Sequence, residues 1–598
     1  MYVRRAHDRP YAPVRGVAPR RTWPRPSLRG AAWGGYVAPA LALYAVFVLW
    51  PLARLVGLSL VRWDGYGAAR FVGLDNYRAL PSDPNFGGEL GHSLVWLGTT
   101  LVAPVALGLA LALLLAAAPR RARAIARALL LVPLLLPTVV LAVVWRLFYN
   151  PLAGPLTGSL QRVGLGNLAG DWLGDPRLAL GALLVPACWA SFGLSMLVFG
   201  AALAAIDREI AEAAAIDGAG AWARFRVVTL PALRGAAPLA TVATALAAVP
   251  SFDLVRLLTN GGPGYATTTL SLDMYGRAFN SGAVGAGAAL ACLQMASGLA
   301  LTGVALAVAR GSASFAGAGD GATGRRPPVR RANRVGAGLA LTLVTAAVLS
   351  PLAWLVALAL GPATTTDGRS GGTFWDTLGA VWGNSFGAAF VTSLGTAALV
   401  AVAVAVLAVP AAFGLANSRG RLVPGTGLVL LAVGLFQPSA VLIIPLYNVL
   451  TWFGLLNSPL GLIAPQIART LPLAVLLLWG ALRALPAGVL DAAAVDGAPP
   501  RRVLRSIALP LALPTLAVVL LWGFLSSWSD YLLPTIVLQD GGTQTVPLAL
   551  AQFVGSVDTQ YAPMATGTLL AILPLLALYA VLYGTVTWGM RRLRVPLR

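Results

Sequence analysis

The chain has 598 residues, 58% hydrophobic and 11% charged, with a formal net charge of +22; an ordinary soluble domain carries about 25% charged residues. So large an apolar excess excludes a water-soluble globule, and the placement of the basic residues, at the ends of apolar runs, assigns the charge to membrane topology rather than nucleic acid. All 43 basic residues are Arg, which excludes a Walker-type phosphate loop, because that loop needs a Lys to reach the nucleotide phosphates.

In chain order, a basic tail over 1–35 holds eight Arg and precedes an apolar run at 36–60. That run is too long for the core of a cleaved signal and lacks a small-residue cleavage pattern, so it is expected to remain as a first span. Further runs lie at about 92–118, 125–148, 180–204, 236–252 and 285–309, then at about 335–360, 384–410, 427–450, 460–482, 511–530 and 564–590. Each can cross a hydrocarbon core about 30 Å thick as a helix. Between the sets, 310–334 has the Gly, Ser and Arg-Arg-Pro-Pro composition of a solvated linker. The expectation is an all-α polytopic membrane protein with 12 transmembrane helices, its halves spanning 36–309 and 335–590, and a second basic tail over 591–598.

With the N-terminus inside, the cytoplasmic segments hold 32 of the 43 Arg and 8 of the 21 acidic residues, so the two sides carry +24 and −2. The asymmetry predicts an N-in, C-in chain. Cys188 and Cys292 lie in apolar segments and the only histidines are His7 and His92; buried thiols are expected, with no metal site.

An internal repeat stands out in two predicted cytoplasmic loops. Glu212-Ala213-Ala214-Ala215-Ile216-Asp217-Gly218-Ala219 is followed by Leu230-Pro231, and Asp491-Ala492-Ala493-Ala494-Val495-Asp496-Gly497-Ala498 by Leu509-Pro510. Glu212 to Asp491, Gly218 to Gly497 and Pro231 to Pro510 are each 279 positions apart. The Ala-rich segment predicts a short helix, Gly a sharp turn that a Cβ would resist, and Pro the start of the next span.

This repeated pattern resembles the cytoplasmic coupling loop of ATP-binding-cassette importer permeases. The wider resemblance is to the carbohydrate-uptake, maltose-type branch. The first half is similar to its F-type subunit through Phe71-Val72-Gly73-Leu74-Asp75-Asn76-Tyr77, Trp145-Arg146-Leu147-Phe148 and Leu257-Leu258-Thr259-Asn260-Gly261-Gly262-Pro263-Gly264. The second is similar to the G-type subunit through Ile444-Pro445-Leu446-Tyr447, Gly454-Leu455-Leu456-Asn457 and Ser526-Ser527-Trp528-Ser529-Asp530. The resemblance implies two fused six-helix type I permease halves in a bacterial inner membrane. It also implies a partner ATPase in two copies carrying ATP and Mg, an extracytoplasmic solute-binding protein or lipoprotein, and a sugar or similar small polar solute. No cofactor is expected on this chain. Two departures are Asp491 in place of the usual Glu and Asp207 where Pro is typical.

The resemblance places substrate-contact positions near Ala187, Ala190, Ser191, Leu194, Thr244, Ala247, Ala248 and Ser251, most of them small or apolar here. Trp189, Asp253, Gln437, Trp528, Asp530 and Tyr531 are further candidates, as aromatic faces and hydrogen-bonding groups suit a sugar. At each, helix packing or structural anchoring is an equally good reading. The outer loop at about 531–563 is expected to reach the binding protein.

A 12-span secondary transporter would share the topology but needs no docking loop; no carboxylate and Arg relay within the spans is expected. Two His, two Cys and loop carboxylates offer no catalytic constellation for a membrane enzyme. Fused permeases for iron or polyamines are nearer rivals.

Overall fold

The computed structural model describes residues 30–592, except 66, 153, 169, 207, 249–250, 313–330, 362, 365–369, 372, 418–438, 486 and 556–560. Helices dominate it, and the strands are two short antiparallel pairs, Val61–Arg62 with Arg70–Phe71 and Ala363–Thr364 with Ser370–Gly371. Gln437, Asp207 and most of the expected linker lie outside the described residues.

In the first half the principal helices are α1 (Gly34–Ser59), α2 (Phe86–Ala117), α3 (Arg120–Leu130), α4 (Thr138–Phe148) and α5 (Ala179–Ala205). They continue with α6 (Arg208–Ile216), α7 (Ala236–Ala248), α8 (Ser251–Leu258) and α9 (Val284–Ser312). The second half has α10 (Arg331–Leu360), α11 (Gly387–Asn417), α12 (Ser439–Trp452), α13 (Pro459–Arg483) and α14 (Ala487–Val495). It ends with α15 (Leu509–Trp528), α16 (Leu532–Val537), α17 (Val546–Gly555) and α18 (Tyr561–Arg592). Among the described residues, nine helices are long and apolar enough to cross a membrane.

Three expected runs differ from simple spans. The run at 125–148 breaks: the segments on either side of residues 136–137 meet at 104°. Pro133 and Pro137 cannot donate the backbone hydrogen bonds that would continue α3, and the residue before each proline is steered out of helical geometry. The run at 236–252 is represented by α7 and, past 249–250, by α8; that at 427–450 is described only from α12 onward. The expected loop at 531–563 contains, among its described residues, the helices α16 and α17. Cys292 is buried as expected, whereas Cys188 is half-buried; both are free thiols.

The halves exchange their first spans. α1 packs against α11, α12 and α13 of the second half as well as α9 of its own, and α10 packs against α2, α3 and α4 of the first half. Hydrogen bonds join the halves: the Trp189 indole N–H donates to the Val348 carbonyl of α10 at 2.8 Å, and Asn150 Nδ2 donates to the Tyr561 hydroxyl of α18 at 2.9 Å. Outside the spans, Arg277 Nε donates to Asp273 at 2.7 Å and Nη2 to Asp83. The Asn85 N–H and this guanidinium hold the Asp83 carboxyl below the usual carboxylate range.

Small residues let the helices approach. A Cβ on Gly108 of α2 would lie 2.5 Å from Ser195 Cβ and 2.7 Å from the Met196 backbone nitrogen of α5. Replacing Gly108 with Leu is therefore expected to force α2 off α5 and to cost about 3 kcal/mol. The thermal midpoint of the purified protein should fall, while Gly98→Leu, whose added Cβ meets nothing within 4 Å, should leave it unchanged.

Candidate functional site: two matched loop tips and an interfacial polar cluster

The two repeated segments fold alike to the level of single hydrogen bonds. α6 and α14 each run into a Gly with positive φ, +78° at Gly218 and +68° at Gly497. Past each Gly, the Ala219 N–H bonds to the Ala214 carbonyl and the Ala498 N–H to the Ala493 carbonyl, both at 3.0 Å. This six-to-one bond across a left-handed residue is the Schellman closure, which satisfies a helix-end carbonyl and is available to Gly at no Cβ penalty. The expectation of a sharp glycine turn is met at both positions.

Each tip is followed by a widened turn before its proline. The Leu230 N–H bonds back five residues to Phe225, and the Leu509 N–H to Leu504, again 279 apart. A proline ring strikes the carbonyl four residues earlier in a regular helix; the five-residue turn gives Pro231 and Pro510 room at the second position of the helical segments they open.

What the tips present also matches. Ile216 is 85% exposed and Val495, its counterpart, 75% exposed, each followed by an exposed Asp, Asp217 or Asp496. A large aliphatic side chain projected from a glycine-closed helix end, twice over, suits a protein partner better than water. Ala213 and Ala492 are exposed, Ala214 half-buried and Ala493 buried; Glu212 and Asp491 lie within α6 and α14.

The expected substrate-path residues divide into two groups. Several are hydrogen-bonded within the bundle: the Trp189 indole is tied to Val348, the Trp528 indole donates to Ala571 at 3.1 Å, and the Ser191 hydroxyl donates to Ala187 within its own helix. Thr244 is fully buried, donating to the Ala240 carbonyl and lying against the Ser195 hydroxyl. Ala187 is buried, and Ala190 and Leu194 are half-buried. The side chains of Ala247, Ala248 and Ser251 lie outside the description.

The second group converges. Asp530, 7% exposed at its side chain, pairs with Arg469 of α13 at 3.3 Å and accepts from Gln466 Nε2 at 3.3 Å. Gln466 Oε1 in turn accepts from the Ser527 hydroxyl at 2.7 Å. From the first half, Asp253 lies within electrostatic reach of Asp530, Arg469 and Tyr531, and its Oδ1 has no hydrogen-bond partner among the described residues. Arg256 lies over the Tyr275 ring, 5.3 Å from its centroid, and an aromatic series continues through Phe279 to Tyr447 of the second half. A cluster of acids, cations and aromatic faces thus bridges the halves.

Against the expectation of no carboxylate and Arg relay within the spans stands one pair, Asp530 just past the end of α15 with Arg469 of α13, which is a pair and not a relay. Sequence reading missed Arg469, Gln466 and Ser527. Arg469 left a signal, an Arg inside the run at 460–482, where a cation costs too much to stand without a partner.

Comparison with known proteins accounts for the duplication. The family model described as "binding-protein-dependent transport system inner membrane component" matches twice, over residues 105–313 and 407–595. The chain is 35% identical to the sn-glycerol-3-phosphate transport system permease protein UgpA of Brucella abortus, over 44% of this chain and 90% of that protein. It is 31% identical to the sulfoquinovosyl glycerol transport system permease protein SmoG of Agrobacterium fabrum, over 46% of this chain and 89% of that one. It is likewise 31% identical to the lactose transport system permease protein LacF of Rhizobium radiobacter, over 40% and 80%. Among solved structures, a bacterial transporter importing the acidic polysaccharide alginate aligns with 20% identity over 48% of this chain and 95% of that chain, at a TM-score of 0.38. The protein is thus a multi-pass inner-membrane permease component of a binding-protein-dependent ABC transporter. The chain belongs to the binding-protein-dependent transport system inner membrane component family and carries that family's domain twice.

Proposed function

We propose that this chain forms the whole membrane pathway for a sugar or similar small polar solute and is driven by two ATPase subunits, one on each loop tip. The observation that carries the reading is the pair of tips, 279 residues apart with the same left-handed Gly, the same closing bond and the same exposed aliphatic residue. Two equal docking elements on one chain call for two copies of the partner. ATP and Mg belong to those partners, since this chain has no Lys for a phosphate loop.

The solute class rests on the names of similar permeases, for lactose, sulfoquinovosyl glycerol and sn-glycerol-3-phosphate. It is supported by the aromatic and hydrogen-bonding groups between the halves, which match the two needs of a polyhydroxylated ligand. The solute-binding protein is placed on the outer side, against the segment holding α16 and α17. Twelve spans are read from the twelve apolar runs, and both termini are placed in the cytoplasm by the charge asymmetry.

Purified alone, the chain is expected to hydrolyse no ATP above the protein-free rate. Adding its ATPase and its loaded binding protein should produce hydrolysis coupled to uptake in proteoliposomes. ATP turnover by the isolated chain would overturn the assignment of chemistry to the partner.

A further inference from the structure

The two first spans contain a second gapless repeat, and one position in it differs in a way that matters. Val48-Leu49-Trp50-Pro51-Leu52-Ala53-Arg54-Leu55-Val56 in α1 corresponds to Val348-Leu349-Ser350-Pro351-Leu352-Ala353-Trp354-Leu355-Val356 in α10. Arg54 thus stands where the other half has Trp354. At the corner formed by α10, α4 and α18, Trp354 is half-buried and packs against the main core. The equivalent corner between α1, α9 and α12 holds a cavity of about 680 Å³, lined by Trp50, Arg54, Asp64, Asn448, Trp452 and Gln539 and reaching Phe279 and Tyr447 of the aromatic series between the halves.

Arg54 lies on the outward stripe of α1. Val46, Trp50, Arg54 and Gly57 are exposed along one face while Val48, Leu52, Leu55 and Ser59 are buried on the other. A rise of 1.5 Å per residue puts Arg54 about 7.5 Å below the outer end of the helix. There it makes no hydrogen bond or ion pair with any described residue, whereas Asp64 of the same lining already has an interaction of its own. An Arg facing lipid within a span is costly unless it meets an anion, and at this depth its side chain can extend to the headgroup level. Trp50, 49% exposed, and Trp452, 74% exposed, flank it as interfacial aromatics.

We infer that this cavity is a binding site for the phosphate of an outer-leaflet anionic phospholipid, held by Arg54 with its acyl chains against Trp50, Ile444 and Val449. Asn448 and Gln539 supply hydrogen bonds to the headgroup.

Native mass spectrometry of the intact transporter, titrated with phosphatidylglycerol, tests this. The wild type should retain one tightly bound lipid per chain. Arg54→Gln should lower its affinity about tenfold, the order expected for losing a charge-assisted bond, while Arg54→Lys keeps most of it. If Arg54→Gln is not recovered folded, Trp452→Ala, on an exposed position, should weaken the same lipid. Retention unchanged in Arg54→Gln or in Trp452→Ala overturns the proposal. So does displacement of the lipid by millimolar inorganic phosphate or sn-glycerol 3-phosphate, which would mark a site for soluble anions.

Discussion

Replacing Gly218 or Gly497 with Val is expected to leave the protein in the membrane at normal levels and to cut ATP-driven uptake, with ATP hydrolysis continuing poorly coupled. Both glycines have positive φ, and a Cβ placed on either meets nothing within 4 Å. The damage is therefore backbone strain and not a clash. A left-handed residue bearing a Cβ costs roughly 1–2 kcal/mol, more for a β-branched one. That is enough to lower the population of the closed tip by about five- to thirtyfold, while membrane insertion, decided by the apolar spans, is unaffected. Uptake assays beside quantitative blots check this. Normal uptake in both variants would reduce the tips to connectors.

The second large effect is expected at Arg469. Removing its guanidinium with Arg469→Ala leaves Asp530, 7% exposed, without its cation, and breaking a partly buried pair in this way costs about 3–5 kcal/mol. Because Arg469 is a quarter exposed, the lower end of that range is expected. The variant should melt earlier and transport little. The double variant Arg469→Ala with Asp530→Ala should recover much of the stability, since no lone charge remains, but not the uptake, if the cluster lies on the solute path. Recovery of both would make the pair a packing element; recovery of neither would point to a wider collapse of the interface.

How much was legible in the sequence varied with how local the signal is. The loop tips were readable because a glycine that closes a helix is specified by its immediate neighbours, and a gapless repeat displays the same specification twice. The spans were readable from apolar length alone, but the break at 125–148 was not taken from it, because average hydropathy is blind to where Pro133 and Pro137 interrupt the backbone hydrogen bonds. The interfacial cluster was least legible. Asp253, Gln466, Arg469 and Asp530 come from three distant segments; Asp253 and Asp530 were read as candidates one by one, while Arg469, a cation inside an apolar run, carried a signal that was missed. Trp189 and Trp528 were drawn toward the solute path by their chemistry, and the structure ties both indoles to backbone carbonyls across helix contacts.

Cysteine cross-linking from the loop tips to the ATPase tests the central claim most directly. Ile216→Cys and Val495→Cys place one new thiol on each exposed aliphatic tip position, while Cys188 and Cys292 are half-buried and buried. Each variant is expected to cross-link one ATPase subunit, and the double variant two subunits per chain. Cross-linking at neither position in an assembled, transporting complex would contradict the account.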